Sequence, residues 1–189
     1  MRKLRTIEMK RLSVEQFRDA DKLPLIVVLD DVRSLYNVGS VFRTCDAFRV
    51  QALYLCGITA TPPHSEIHKT ALGAEDSVAW KHFPTADDAV AYLHREGWKV
   101  YAIEQAEGSI MLQEWLSAPS QPSSHTPSGF AIIFGNEVKG VHQSVIDACD
   151  GCIEIPQYGT KHSMNVSVTA GIVIWEIVRQ WTTHLLSFK

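Results

Sequence analysis

Short apolar runs alternate along the chain with segments whose apolar positions recur at helical spacing. The predicted strands are residues 25–29, 50–56, 77–82, 98–103, 130–134 and 152–155. The predicted helices start at Ser13 before Pro24, and then cover residues 37–48, 65–72, 86–96, 141–148 and 165–181. The strand runs are continuously apolar, as is typical of strands buried on both faces of a parallel sheet. We therefore predict an α/β fold, a mostly parallel sheet with helices on both faces.

Local signals set several of these boundaries. Ser13 followed by Gln16 has the form of a capping box, and Asn37 is the predicted cap of the next helix. Residues 117–128, rich in Pro and Ser, are predicted to be a loop. The last helix has an apolar stripe that is expected either to enter the core or to meet another subunit. Its members are Val168, Ile172, Trp175, Val178 and Trp181.

Length and composition favour a single globular domain of ordinary size. The chain has 189 residues, of which 46% are hydrophobic. No apolar run approaches the roughly 20 residues of a membrane-spanning helix, and no secretory signal follows the basic N-terminus. Cys149 and Cys152 have the spacing of a redox or zinc pair, but without a second pair we expect reduced structural cysteines. The expected location is the cytoplasm.

Charge is unevenly distributed, although the net charge is only −3. Residues 1–22 hold seven of the eighteen basic residues and four acidic ones. This basic arm, residues 1–22, either contacts phosphates or is a solvated tail, and charge alone favours the tail. The expected division of the chain is the arm and a catalytic domain over residues 23–189.

Three segments lie where a predicted strand ends and a helix begins, namely residues 37–44, 134–141 and 155–168. Ligand sites of parallel α/β sheets form at this edge, where glycine permits close backbone approach and a new helix offers free N–H groups. Five polar side chains in these segments are expected to converge on one crevice. They are Asn37, Arg43, Glu137, Ser163 and Asn165.

Several familiar chemistries do not fit these residues. Gly135 and Gly140 have the spacing of a phosphate-binding loop, but Val141-His142 follows where Lys and Ser/Thr are needed. No G-x-G-x-x-G follows the first strand, and the histidines form no familiar metal-ligand motif, so no metal is expected. Ser163 lacks the turn sequence of an acyl-transfer nucleophile.

The three segments resemble the signature motifs of the SpoU branch of the SPOUT methyltransferases, the TrmH-like RNA ribose 2′-O-methyltransferases. The matching motifs are Asn37-x-Gly39-x-x-x-Arg43-Thr44, Gly135-Asn136-Glu137-x-x-Gly140, and Ile155-Pro156 through Ser163-Met164-Asn165-Val166-Ser167. Residues 69–74 and 104–105 are also similar to the family. Met164 stands where Leu is commoner, and residues 117–128 resemble a lengthened surface loop.

The resemblance implies a deep trefoil knot in the C-terminal segment and a homodimer whose active site draws on both subunits. It also implies that S-adenosyl-L-methionine binds in the knot, mainly through backbone groups. The residues implied in cofactor binding are Phe134, Gly135, Asn136, Gly140, Ile155, Pro156, Ser163 and Met164. The implied reaction is methyl transfer to a ribose 2′-hydroxyl of tRNA or rRNA, without a metal.

By the same resemblance, Arg43 holds the RNA phosphate and stabilises the charge that develops on the 2′ oxygen, because an arginine is a poor base. Asn37 orients the ribose or Arg43, and Glu137 positions Arg43 or a loop amide. Ser163 and Asn165 fix the knot loop and the substrate hydroxyl. The general base stays open. The expected RNA contacts are Arg43 and, in the basic arm, Arg2, Lys3, Arg5, Lys10 and Arg11.

Two other functions remain open at this point. One is a catalytically silent RNA- or cofactor-binding protein on the same scaffold, which the intact motifs disfavour. The other is an unrelated α/β enzyme that acts on a small phosphorylated metabolite. The sequence does not distinguish tRNA from rRNA or identify the modified nucleotide.

Overall fold

The computed structural model describes residues 1–115 and 129–185, without the side chains of residues 6, 7 and 181–185. The strands of this part of the chain form one sheet in the order β3-β2-β1-β6-β4-β7-β5, and every pairing is parallel. The strands are β1 Leu23–Asp30, β2 Val50–Cys56, β3 Trp80–Phe83, β4 Lys99–Ile103, β5 Ile110–Met111, β6 Phe130–Phe134 and β7 Gly151–Glu154. The predicted parallel α/β architecture is confirmed.

Helices cover both faces of this sheet. They are α1 Val14–Asp19, α2 Leu35–Ala47, α3 Ser65–Ala71, α4 Ala74–Ser77, α5 Ala86–Arg95, α6 Leu112–Trp115, α7 Gln143–Ala148 and α8 Val166–Leu185, with a short 3-10 turn at Thr6–Met9. Successive residues of the central strand β1 enter different cores. Leu25 and Val27 pack with α2 and α8, whereas Ile26 and Val28 pack with α5 and α7. This is why the β1 run is apolar without alternation.

Two predicted boundaries were wrong, and some short elements were not predicted. Helix α2 begins at Leu35, and its cap is Ser34, whose hydroxyl accepts from the backbone N–H of Asn37. Asn37 therefore lies inside the helix rather than at its cap. Ser77 ends α4, so the strand predicted from residue 77 begins only at Trp80. Strand β5 and helix α6 are too short to give a periodic pattern, and neither was predicted.

Three of the five residues of the apolar stripe of α8 lie outside the core, and Val178 is half-buried and packs against the core. Val168 and Trp175 are each 54% exposed and Ile172 is 39% exposed. The buried side of the helix is formed instead by Ala170, Val173, Ile174 and Ile177. Of the two expectations for the stripe, burial in the core is wrong for these three residues, and contact with another subunit stays a prediction.

Some predictions fall on parts that the structure does not describe. The predicted loop 117–128 and the side chain of Trp181 are among them. Within the described residues, no helix is long and apolar enough to cross a membrane.

Candidate active site

A cavity of about 870 Å³ opens at the carboxyl ends of β4, β6 and β7. Its walls are the loops that follow these three strands, part of α7 and the first turn of α8. This is the edge at which parallel α/β sheets bind ligands, and the volume lies in the usual range for small-molecule sites. The last two of the three sequence segments thus form one cavity, as predicted.

The loop 135–140 has a shape that its glycines make possible. The backbones of Asn136 and Gly140 exchange hydrogen bonds of 3.0 and 2.9 Å, which closes the loop into a tight turn. A Cβ atom on Gly135 would overlap the backbone of Gly140. Gly140 has a φ of +69°, and a Cβ atom there would overlap the carboxylate of Glu104. The loop therefore leaves its backbone exposed to the cavity with little side-chain bulk.

Two residues that the sequence analysis gave no role, Glu104 and Gln105, tie the cavity walls together. The backbone N–H of Val141 donates to the Glu104 carboxylate at 3.1 Å. The Gln105 side chain donates to the backbone carbonyl of His162 at 2.9 Å. Both residues follow β4 directly, so the rule that ligand sites lie at strand ends would have identified them.

Glu137 holds the start of α2. Its carboxylate accepts from the backbone N–H groups of Arg33 and Ser34, each at 3.1 Å, and from the Asn37 side chain at 3.2 Å. Burial works to raise the pKa of Glu137, but the hydrogen bonds from Arg33, Ser34 and Asn37 outweigh it and lower this pKa. Of the two partners expected for Glu137, the structure has the loop amides and not Arg43.

Asn37 and Asn165 continue this network to α8. The Asn37 side-chain oxygen accepts from the Asn165 amide at 3.1 Å. The Asn165 side-chain oxygen in turn accepts from the backbone N–H groups of Ser167 at 2.9 Å and Val168 at 3.4 Å, so Asn165 caps α8. The three motif segments are therefore joined by a continuous chain of hydrogen bonds from Glu137 through Asn37 to Asn165.

Arg43 lies apart from the cavity of its own chain. It is exposed and lines a second, shallower pocket of about 420 Å³ between α2 and α3, together with Lys69 and Phe48. It makes no hydrogen bond or ion pair with any other residue that the structure describes. Ser163 and Glu137 do line the main cavity. Of the five side chains expected at one crevice, Glu137 and Ser163 line the main cavity and Arg43 lies apart from it. Asn37 and Asn165 are joined to Glu137 by hydrogen bonds but are not part of the cavity wall.

The structure also places the residues implied in cofactor binding. Those on the cavity wall are Phe134, Gly135, Asn136, Gly140, Ile155, Ser163 and Met164. Pro156 lies beside them in the chain but is not part of the wall. The Asn136 side chain stabilises the loop 135–140. It donates to the Asp31 carbonyl at 2.7 Å and accepts from the Val138 N–H at 2.9 Å.

The remaining candidates lie elsewhere. Burial raises the pKa of the Cys149 thiol to about 12, so it is not a reactive thiolate at neutral pH, and all four cysteines are free. In the basic arm, the guanidinium of Arg2 pairs with Glu8 at 3.0 Å. The other predicted RNA contacts of the arm, Lys3, Arg5, Lys10 and Arg11, are exposed.

Known proteins resemble most of this chain. The model of the SpoU rRNA Methylase family matches residues 24–175. A tRNA (guanosine(18)-2′-O)-methyltransferase of Thermus thermophilus is 29% identical over 92% of this chain and 84% of its own length. The 23S rRNA (guanosine-2′-O-)-methyltransferase RlmB of Vibrio parahaemolyticus is 32% identical over 83% of this chain and 60% of its own length.

Among solved structures, the AdoMet-bound rRNA methyltransferase of Sinorhizobium meliloti superposes with a TM-score of 0.73 at 25% identity. The match covers 90% of this chain and 61% of that protein. The similarity therefore covers most of the chain.

Proposed function

Because the chain belongs to the SpoU rRNA Methylase family, we propose that it transfers a methyl group from S-adenosylmethionine to a ribose 2′-hydroxyl of tRNA or rRNA. The observation that carries this proposal is the cavity of about 870 Å³ whose walls are built from two of the three motif segments. The named relatives act on guanosine in tRNA and in 23S rRNA, which supports an RNA substrate and leaves the two classes open.

The cavity fits a cofactor held by backbone groups. Gly135 and Gly140 occupy positions where a side chain would fill the loop, which leaves room for a ligand against the main chain. The residues that would hold the cofactor are those of the wall, Phe134, Gly135, Asn136, Gly140, Ile155, Ser163 and Met164. Pro156 would act by stiffening the loop behind them. Bound there, S-adenosylmethionine supplies an electrophilic methyl group on sulfur.

The C-terminal segment is proposed to form a deep trefoil knot. Strand β6 lies at the centre of the sheet, between β1 and β4, although it follows both in sequence. The later loop before α8 is tied back to residue 105 by the hydrogen bond from Gln105 to His162. Knotted chains are exceptions to the usual rules of chain connection. The main support for the proposed knot is therefore membership of the family.

In the proposed mechanism, Arg43 binds an RNA phosphate and stabilises the negative charge that develops on the 2′ oxygen as its proton leaves. The guanidinium suits this role because it stays charged and has no bonded partner among the described residues. Asn37, Glu137 and Asn165 hold the α2 and α8 ends in place, and Ser163 offers its hydroxyl on the cavity wall. The base that takes the 2′ proton is not assigned.

We further propose that the active enzyme is a homodimer. Arg43 does not line the cavity of its own chain, so a site that needs both must draw Arg43 from a second copy. The exposed stripe Val168, Ile172 and Trp175 lies on the same side, since the Trp175 ring is 5.9 Å from that of Phe48 in the Arg43 pocket. Covering this stripe with a second copy would bury apolar surface and bring the two half-sites together.

RNA binding is proposed to extend to the basic arm, residues 1–22, beside the methyltransferase domain of residues 23–189. Lys3, Lys10 and Arg11 are exposed and available to phosphates, whereas the charge of Arg2 is partly satisfied by Glu8. Contacts of this kind add affinity without reading sequence.

The test of the proposed function is transfer of a tritiated methyl group from the cofactor to RNA. The wild-type protein should label tRNA or rRNA at ribose 2′ oxygens, and Arg43→Ala should lower the rate by at least about a hundredfold, the cost of removing one charge-stabilising group. Cofactor affinity, measured by calorimetry, should stay within about twofold because Arg43 lies outside the cavity wall. Arg95→Ala on α5 serves as the matched control and should retain full activity.

The possible outcomes separate the rival functions. Cofactor binding without methyl transfer to any RNA would identify a silent binding protein. Absence of cofactor binding would favour a metabolite enzyme. Full activity of Arg43→Ala would remove Arg43 from the mechanism while leaving the proposed reaction intact.

A further inference from the structure

Asp30, Asp31 and His142 form a cluster outside the cofactor cavity. One ligand atom from each of the three lies within 4.8 Å of the others. The Asp30 carboxylate is 3.4 Å from Nδ1 of His142, and the Asp31 carboxylate is 3.9 Å from Nε2 of the same ring. The cluster lies where β1 ends and α7 is about to begin, so two elements distant in sequence supply its ligand groups.

One oxygen of this cluster has no hydrogen-bond partner. The side chain of Asp30 is only 3% exposed, and its Oδ2 is buried without a hydrogen bond from any described residue. Nδ1 of His142, at 3.4 Å, is the ionisable nitrogen that faces it. A buried carboxylate oxygen without a partner is costly, and native structures rarely leave one unsatisfied.

The charges around the cluster are mostly negative. Asp31 and Asp87 place further negative charge near Asp30, and the imidazole of His142 is the basic group that faces it. A cation bound between these groups would offset this charge and give the buried Asp30 oxygen a partner.

We infer that Asp30, Asp31 and His142 bind a divalent transition-metal ion such as Zn²⁺. Two carboxylate oxygens and one imidazole nitrogen make three protein ligands, and water completes the coordination. The buried Asp30 oxygen points into the site, while Asp31 and His142 are 29% and 43% exposed and leave it open to solvent. The imidazole ligand favours Zn²⁺ over Mg²⁺, which prefers oxygen ligands alone and keeps its waters.

Such an ion would link β1 to the loop that forms the cavity wall. The backbone carbonyl of Asp31 already accepts from Asn136 at 2.7 Å, and His142 follows Gly140 by two residues. A metal held by Asp31 and His142 would fix both ends of the loop 135–140 to the same strand. Its expected effect is structural, a stiffer cavity wall, and it takes no part in the methyl transfer.

The test is calorimetric titration of chelator-treated protein with ZnCl₂ and, separately, with MgCl₂. We expect one saturable Zn²⁺ site per chain and at least tenfold weaker binding of Mg²⁺. Asp31→Asn and His142→Gln should each weaken Zn²⁺ binding by about tenfold or more. His94→Gln is the matched control, because His94 also pairs with a carboxylate, that of Asp150 at 3.1 Å, outside the cluster. Circular dichroism of each variant without metal establishes that it is folded.

Zinc should also raise the thermal unfolding temperature of wild type and His94→Gln, and leave that of His142→Gln unchanged. Because Cys149 and Cys152 could bind the ion instead, a double serine variant at these positions is titrated as well and should bind Zn²⁺ as wild type does. No saturable Zn²⁺ site, equal binding by the cluster variants, or loss of binding in the cysteine variant would each overturn the inference. The titrations use neither RNA nor S-adenosylmethionine, so their outcome is independent of the proposed reaction.

Discussion

The carboxylate of Glu137 joins the loop after β6 to the first turn of α2. It accepts from the backbone N–H groups of Arg33 and Ser34, which lead into α2, and it also accepts from the Asn37 amide. Since Asn37 is also hydrogen-bonded to Asn165, a substitution of Glu137 should weaken the anchoring of the start of α8. These polar residues therefore stabilise the fold in addition to any contact with substrate.

We predict that Glu137→Gln destabilises the protein by about 1 kcal/mol at neutral pH, since an amide replaces a charged acceptor and presents its own N–H groups to backbone donors. The folded-state pKa of Glu137 is lowered, so its stabilisation is fully present above the ordinary carboxyl pKa, and it is lost as pH falls through the lowered value. The difference between wild type and Glu137→Gln should therefore shrink in acid. Urea unfolding at neutral and acidic pH measures it.

The exposed Glu114, changed to Gln, provides the control and should alter stability little at either pH. A Glu137→Gln deficit that is as large in acid as at neutral pH would show that the charge of Glu137 does not stabilise the fold.

Sequence reasoning at the residue scale identified the polar positions better than their partners. Asn37, Glu137 and Asn165 were predicted at one site because motifs and strand ends are visible in sequence. The hydrogen bonds between these residues were not predicted. Asn165 and Asn37, for example, are 128 residues apart, and their contact depends on the packing of α8 against α2. The sequence analysis also did not predict the cluster of Asp30, Asp31 and His142. His142 is distant in sequence from the two aspartates, so the three residues match no known spacing of metal ligands.

At the scale of elements, Gly39 allows α2 and α3 to pack closely. A Cβ atom on Gly39 would overlap the Thr70 hydroxyl and the Ile67 carbonyl oxygen of α3. Thr70 in turn donates to the backbone carbonyl of Tyr36 at 3.0 Å, so the two helices are joined at this point. The glycine of the first motif is therefore explained by helix packing.

Gly39→Ala is predicted to destabilise the protein by about 1–3 kcal/mol, as overpacking typically does. The sign of the change in the free energy of unfolding is informative, because Gly→Ala in an unhindered helix stabilises a protein by roughly 0.5–1 kcal/mol. Gly171 of α8, which has no atom within 4 Å of an added Cβ, offers that comparison in the same protein. Chemical unfolding should shift in opposite directions for Gly39→Ala and Gly171→Ala. A shift in the same direction for both would contradict the packing role of Gly39.

Element prediction succeeded where the pattern was long and uniform. Strands β2 and β6 were predicted with their observed ends because each apolar run is bounded by polar or glycine residues. The start of α2 was misplaced because Ser34 and Asn37 are both good caps, and the Asn37 side chain is bonded to Glu137 and Asn165 instead. The start of β3 was misplaced because the helical region does not end at Gly73. This glycine, with a φ of +93°, separates α3 from α4, and β3 begins only after α4.

At the scale of the whole molecule, the separation of Arg43 from the cavity could not be read from sequence. Both belong to family motifs, and strand-end reasoning places them on one sheet edge. The structure instead places Arg43 between α2 and α3, next to the exposed apolar stripe of α8. If two copies share their sites through this face, a chain without Arg43 and a chain with a damaged cavity should be able to repair one another.

We predict this complementation for Arg43→Ala mixed with Gly135→Ala, whose added Cβ overlaps the Gly140 backbone and distorts the cavity loop. Each variant alone should be nearly inactive in the tritiated-methyl assay. After random exchange of subunits, half of the dimers are mixed and each contains one intact site, so activity should return to about a quarter of wild type.

Placing Trp175→Glu in both chains should abolish the recovery, because it adds charge to the apolar stripe. Ile58→Glu, at an exposed apolar position after β2, should not. Folded variants that exchange subunits without any recovery would assign Arg43 and the cavity to the same chain, and the shared-site dimer would have to be abandoned.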